Sequence, residues 1–128
     1  MLFRSKGQIS WVYSDDLDAA SRFYAEVLGF ECRRDEGDAR IYATAGGAFI
    51  GVCRAFADRV VEPRGGMISL VCDDVDGWYR CLRERGAEID APPHRLEAFG
   101  IYTFFVRDPN GYVIEFQQFD DIPDPELI

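Results

Sequence analysis

Glu115 stands in an otherwise apolar run, Val113-Ile114-Glu115-Phe116. A lone carboxylate among such neighbours either faces water or is aimed into a site, where it can hydrogen-bond a ligand or meet its positive group. The single histidine, His94, sits in Pro92-Pro93-His94-Arg95-Leu96 with no Ser or Cys beside it. An imidazole there is a plain surface group, or an acid or base if its loop overhangs a site. Two acidic triplets, Asp15-Asp16-Asp18 and Asp73-Asp74-Asp76, have the look of a cation site. Each opens an amphipathic segment, where carboxylates satisfy free N–H groups and the helix dipole, and capping is the stronger account. Cys32, Cys53, Cys72 and Cys81 are widely spaced, form no C-x-x-C pair and fall in expected strands or a helix. They read as buried reduced thiols rather than a disulfide framework.

The elements that must position these groups follow from local pattern. Phe104-Phe105-Val106-Arg107 and Tyr112-Val113-Ile114-Glu115-Phe116 flank Asp108-Pro109-Asn110-Gly111. Proline pre-sets the first turn position and Asn and Gly tolerate left-handed ones, so this is a β-hairpin whose second strand carries Glu115. Near the start, Gln8–Ser14 alternates, with Ile9, Trp11 and Tyr13 on one face, and reads as a strand. Asp15 or Asp16 then caps a helix with Leu17, Ala20, Phe23, Tyr24, Val27 and Leu28 at helical spacing, ending at Gly29. Short strands are expected at Phe30–Arg34, Arg40–Thr44 and Ala48–Arg54. Residues 55–66 read as a connecting loop.

The pattern then restarts. Ser69-Leu70-Val71-Cys72-Asp73-Asp74-Val75-Asp76 mirrors Trp11-Val12-Tyr13-Ser14-Asp15-Asp16-Leu17-Asp18, and a second helix, Asp74–Arg85, closes on Gly86. Its inner stripe is Val75, Trp78, Tyr79 and Leu82. Glu88-Ile89-Asp90 reads as a short strand, Ala91–Phe99 as a Pro-containing loop, and the hairpin supplies the last two strands. The chain is therefore expected to be α+β, with βαβββ built twice, about residues 8–54 and 67–119, within one domain spanning 1–128. An acidic tail, 120–128, is expected to lie extended on the surface.

Composition narrows the function. The 128 residues are 48% hydrophobic and 29% charged, as in an ordinary soluble globule. A net charge of −9 argues against nucleic acid, which needs a basic face, and is compatible with a cationic ligand. No apolar run reaches the roughly 18 residues of a membrane helix, and Met1–Lys6 is too short for a signal peptide. These features read as a cytoplasmic protein.

Paired βαβββ modules that each open with strand-Asp-Asp-(Leu/Val)-Asp-helix resemble the vicinal oxygen chelate superfamily. That group holds glyoxalase I, extradiol dioxygenases, fosfomycin-resistance enzymes and bleomycin-resistance proteins. The matching residues are Asp16-Leu17, Phe23-Tyr24 and Leu28-Gly29-Phe30, then Phe105-x-x-Asp108-Pro109-x-Gly111-Tyr112-x-Ile114-Glu115. The resemblance implies a mixed sheet curled into a cup, helices outside and a ligand within, and commonly a homodimer. It also implies where the catalytic members hold a divalent metal, at positions that here carry Ile9, Gly51, Met67 and Glu115. Only Glu115 is a donor, and Gln8, one residue from the first position, points to the other face.

The leading expectation is therefore a metal-independent small-molecule-binding protein of the bleomycin-resistance type, with no cofactor. Its expected ligand contacts are Trp11, Tyr13, Phe49, Ser69, Tyr102 and Glu115, and its ligand is small, cationic or aromatic. Phe104 belongs to the same aromatic set, and for Tyr102 and Phe104 the sequence offers no register. Two alternatives remain open: a metal-dependent lyase, isomerase or oxygenase with Glu115 as one ligand, and metal-free catalysis with Glu115 or His94 as base.

Overall fold

Alternation around Ile9, Trp11 and Tyr13 becomes strand β1 (Gln8–Ser14) in a computed structural model that describes residues 3–120. Asp16 caps helix α1 (Leu17–Arg22), its Oδ1 accepting from the Ala19 N–H at 3.1 Å. The helix widens into a π turn at Phe23–Val27, where the Leu28 N–H reaches back to the Phe23 carbonyl at 2.9 Å. With that turn Phe23, Tyr24 and Leu28 are all buried. Gly29 closes it with φ of 79°. Phe30, expected to open a strand, instead donates its N–H to the Tyr24 carbonyl at 3.0 Å and belongs to the helix end. Strands β2 (Glu31–Asp35), β3 (Ala39–Ala45) and β4 (Ala48–Arg54) follow. They form one sheet in the order β1-β4-β3-β2, with β1 parallel to β4 and the other pairs antiparallel.

The chain divides into two compact units, residues 1–62 and 63–128, and the second repeats this plan. Strand β5 (Ile68–Val71) leads to α2 (Val75–Glu84), capped by Asp74 through the Gly77 N–H at 3.0 Å. Then come β6 (Glu88–Ile89), β7 (His94–Leu96), a short 3-10 turn at Glu97–Phe99, β8 (Ile101–Arg107) and β9 (Val113–Phe119). The order is β5-β9-β8-β6, with β7 also on β8 and β5 parallel to β9. The fold is thus mixed α+β, a tandem pair of βαβββ units.

One expected loop is corrected. Ala91–Phe99 contains β7, because Gly100 (φ 62°) turns the chain so that His94, Arg95 and Leu96 pair with Thr103, Tyr102 and Ile101. Strands β6 and β7 are two pieces of one edge, interrupted where Pro92 and Pro93 have no N–H to offer β8. In the hairpin before β9 the buried Asp108 accepts from the Asn110 and Tyr112 N–H groups at 2.8 and 2.9 Å, and only Gly111 is left-handed.

Each sheet has a helix face and a helix-free face. In the first unit Val12, Tyr42, Ile50 and Val52 are buried on the helix side. In the second, Phe104 and Phe116 stack at 5.2 Å beneath Tyr79 and Trp78 of α2. Each fully buried ring contributes about 2–3 kcal/mol of hydrophobic stabilisation. Phe104 is therefore core. The expectation of buried thiols is also corrected: Cys32 is exposed on the edge strand β2 and the other three cysteines are half-buried, all four free. The tail beyond Asp120 lies outside the described residues. Among those residues no helix is long and apolar enough to cross a membrane.

Candidate functional site

Strand parity places Glu115 on the helix-free face of the second sheet, opposite Ser69 of β5 and Phe105 of β8. It is 3% exposed. Ser69 donates its hydroxyl to Oε1 at 2.7 Å, the Gln117 amide donates to the same oxygen at 2.9 Å, and the buried Thr103 hydroxyl donates to Oε2 at 2.9 Å. The Gln117 amide also donates to the Ser69 hydroxyl, which ties those two donors together. All three are uncharged. Among the described residues Oε1 meets two donors and Oε2 one, which leaves Oε2 a second acceptor position. Thr103 and Gln117 were not among the expected contacts. Alternation would have found them once the register of β8 against β9, Thr103 opposite Gln117, was known.

The first unit places different chemistry at the matching positions. Trp11 of β1 lies opposite Gly51 of β4, as Ser69 lies opposite Glu115. The indole covers the glycine: a Cβ on Gly51 would come within 2.4 Å of the ring. Trp11 remains 39% exposed, so the ring is pinned from below and open on its other side to stacking. Ile9 and Phe49 pair beside it on the same face, and Ile41 lies across β4 from Trp11. Further along β1, Tyr13 accepts a hydrogen bond at its hydroxyl from Arg59 at 3.2 Å, and the Arg59 guanidinium sits 5.7 Å from the Phe56 ring.

Of the six residues the sequence put forward, Ser69 and Glu115 meet directly, and Trp11, Tyr13 and Phe49 share the helix-free face of the first sheet. Tyr102 departs from the grouping. It pairs with Gln118, on the face opposite Glu115, and its hydroxyl donates to Asp76 of α2 at 2.7 Å. That carboxylate raises the phenol above its ordinary range, mainly through the hydrogen bond. His94 is exposed on β7, with Nδ1 3.3 Å from the Pro92 carbonyl. The acidic triplets cap and brace: Asp16 and Asp74 accept helix N–H groups, and Asp18 pairs with Arg40 at 3.3 Å.

The divalent metal implied by the resemblance needs about three protein donors of N, O or S type. Ile9 and Gly51 supply none and Met67 only a thioether, and the indole occupies the space over Gly51. Among the described residues no three His, Cys, Asp or Glu side chains are placed to hold an ion. The donor set does not fit a resident metal.

The sequence profile described as Glyoxalase/Bleomycin resistance protein/Dioxygenase superfamily matches residues 7–116. Among curated proteins no sequence match was found. A glyoxalase/bleomycin resistance protein/dioxygenase from Nocardioides superposes with a TM-score of 0.77 at 19% identity, over 98% of this chain and 90% of that one, a likeness of fold alone. TnmS3, an antibiotic binding protein from Streptomyces sp. CB03234, gives 0.74 at 27% identity over 92% and 98%. A lactoylglutathione lyase from Agrobacterium tumefaciens gives 0.71 at 26% over 90% and 94%. With its profile covering both βαβββ units, the chain belongs to the glyoxalase/bleomycin resistance protein/dioxygenase superfamily.

Proposed function

We propose that this chain is a metal-independent binding protein for a small organic molecule, of the bleomycin-resistance type, with a candidate contact surface on the helix-free face of each sheet. The observation that carries this reading is the indole of Trp11 lying over Gly51. Where the catalytic relatives place a donor, this chain has a stacking surface, and sequestration needs no reacting group. Glu115 then acts as an oriented acceptor through the second acceptor position of Oε2, its carboxyl held by Ser69, Thr103 and Gln117. The likeness to an antibiotic-binding protein supports the same reading. The likeness to a lactoylglutathione lyase does not restore the missing donors. Assembly as a homodimer and a cytoplasmic location are part of this proposal, and sedimentation of the untagged chain tests the first.

The test is a ligand screen by thermal shift and equilibrium dialysis with EDTA present. The expected result is a planar organic ligand that binds equally well with EDTA or with added divalent metal and is lost in Trp11→Ala. Near-stoichiometric retention of Ni²⁺, Zn²⁺ or Mn²⁺ after desalting, abolished by Glu115→Gln, would sink the proposal and put a metalloenzyme in its place.

A further inference from the structure

A net charge of −9 favours cationic ligands overall, yet a cavity on the first unit has the opposite local character. It has a volume of about 560 Å³, within the range of about 300–1,000 Å³ usual for small-molecule sites. Ile9, Ile41 and Phe49 form its apolar floor, Lys6, Arg33 and Arg34 stand around it, and among the described residues no carboxylate lines it.

The two arginines reach one cavity because β2 carries a bulge. Cys32 pairs with Tyr42 and Arg34 with Ile41, so Arg33 is an extra residue in the edge strand. In regular alternation Arg33 and Arg34 would point to opposite faces; the bulge brings both to the side of Ile41. Lys6 is fixed by a separate device. Gly7 and Gly47 cross so closely that a Cβ on Gly7 would lie 2.3 Å from the Gly47 carbonyl oxygen, and the Gln8 N–H bonds that oxygen at 2.7 Å. The segment carrying Lys6 is thereby held at the rim.

Each arginine has an acidic neighbour, Glu31 for Arg33 at 3.2 Å and Glu36 for Arg34, met at the Nε edge. These pairs are exposed, and such pairs contribute little, so an entering anion can displace them. A guanidinium binds a carboxylate or phosphate through two parallel N–H bonds. Across the face, Trp11, Gly51, Ile41 and Arg34 lie in one row on four adjacent strands. Three strand spacings set the Trp11 and Arg34 backbones roughly 14 Å apart, enough for a fused aromatic body with an acidic end.

We propose that this cavity takes a planar apolar molecule bearing an anionic group, with Arg33, Arg34 and Lys6 recognising the anion and the Ile9–Ile41–Phe49 floor and the Trp11 indole holding the body. The proposal rests on the small-molecule-binding reading above and names the ligand class for the first unit, reversing the expectation of a cationic ligand there.

The test compares one aromatic body with three charges: 2-naphthoate, 2-naphthalenemethanol and 2-naphthylmethylammonium, by equilibrium dialysis with Trp11 quenching as a second readout. The expected order is naphthoate at least tenfold tighter than the other two, with an advantage that shrinks as salt is raised. In Arg33→Gln/Arg34→Gln, naphthoate falls to the level of the alcohol while the alcohol itself is unchanged. Those side chains are exposed, so an unchanged melting temperature checks the fold. Equal Trp11-dependent binding of all three probes, or naphthoate binding indifferent to the double substitution, overturns the anion proposal and leaves the binding reading standing. No binding of any probe at millimolar concentration also overturns the anion proposal, while the binding reading stands or falls on the ligand screen above.

Discussion

The two units are built on one plan and carry opposite chemistry on it. Register and the repeat offset pair Trp11 with Ser69, Gly51 with Glu115, Ala39 with Thr103 and Cys53 with Gln117. In the second unit these four positions make a polar cluster around a buried carboxyl. In the first they hold an aromatic ring resting on a glycine, with no oxygen or amide among the four side chains. Both arrangements are internally complete: the carboxyl has donors for both of its oxygens, and the indole lies against a backbone with no Cβ to lift it. A carboxylate at position 51 would find no hydroxyl or amide at the positions that match Ser69, Thr103 and Gln117, and a tryptophan at position 69 would lie against Glu115. The scaffold fixes where a group stands, and the neighbours fix which group can stand there.

The largest expected effect comes from breaking the apolar half. Gly51→Ala puts a methyl 2.4 Å from the Trp11 ring, so the indole must move. Overpacking of this kind costs about 1–3 kcal/mol, and we expect the upper end because the obstacle is a rigid ring flat against the strand. Urea denaturation measures it. Adding Trp11→Ala should return a large part of the loss, with a coupling of about 1 kcal/mol or more in the double-mutant cycle. Additive losses would mean that the ring does not rest on Gly51.

Next is the polar half. Glu115→Leu removes the acceptor for Ser69, Thr103 and Gln117, and Thr103 has no solvent to turn to. Leaving a buried hydroxyl unpaired costs about 1–3 kcal/mol. Thr103→Val alone should cost roughly 1 kcal/mol. In the Glu115→Leu background the same change should cost nothing or return part of the loss, since the hydroxyl it removes is already an orphan. A full additional loss there would show that Thr103 is held by something other than Glu115.

The sequence made one half of this comparison visible and hid the other. Glu115 stood out because a carboxylate in an apolar strand is chemically conspicuous, and Ser69 followed from counting back from Asp74. Gly51 could be read only as a missing donor. That it serves as the seat of an indole depends on the parallel pairing of β1 with β4, a contact across roughly 40 residues that no local pattern encodes. The strands and caps were legible wherever alternation or an Asp-to-Gly span marked them. Arg33 and Arg34 were hidden because a bulge breaks the period-two rule by which strand faces are read. The π turn absorbed Phe30 into the helix end for a related reason, since neither three nor four residues per turn describes it.

Tyr102 supplies the smallest effect and the sharpest check on the faces themselves. Its hydroxyl bonds Asp76 at an exposed position, where a single hydrogen bond is worth about 0.5 kcal/mol or less. Tyr102→Phe should therefore barely move the denaturation midpoint and, because Tyr102 and Glu115 lie on opposite faces of the second sheet, should leave ligand affinity unchanged. The pH dependence has a definite sign. The carboxylate raises the phenol above its value in the unfolded chain, so the folded protein holds that proton more tightly. The contribution is present in full below the ordinary phenol range and is lost as pH rises through the raised folded value. Ultraviolet tyrosinate titration should show one tyrosine ionising late, and Asp76→Asn should bring it back toward the ordinary range. If Tyr102→Phe instead weakens ligand binding while the late ionisation persists in Asp76→Asn, β8 is offset by one residue against β9, and Tyr102 rather than Thr103 shares the face of Glu115.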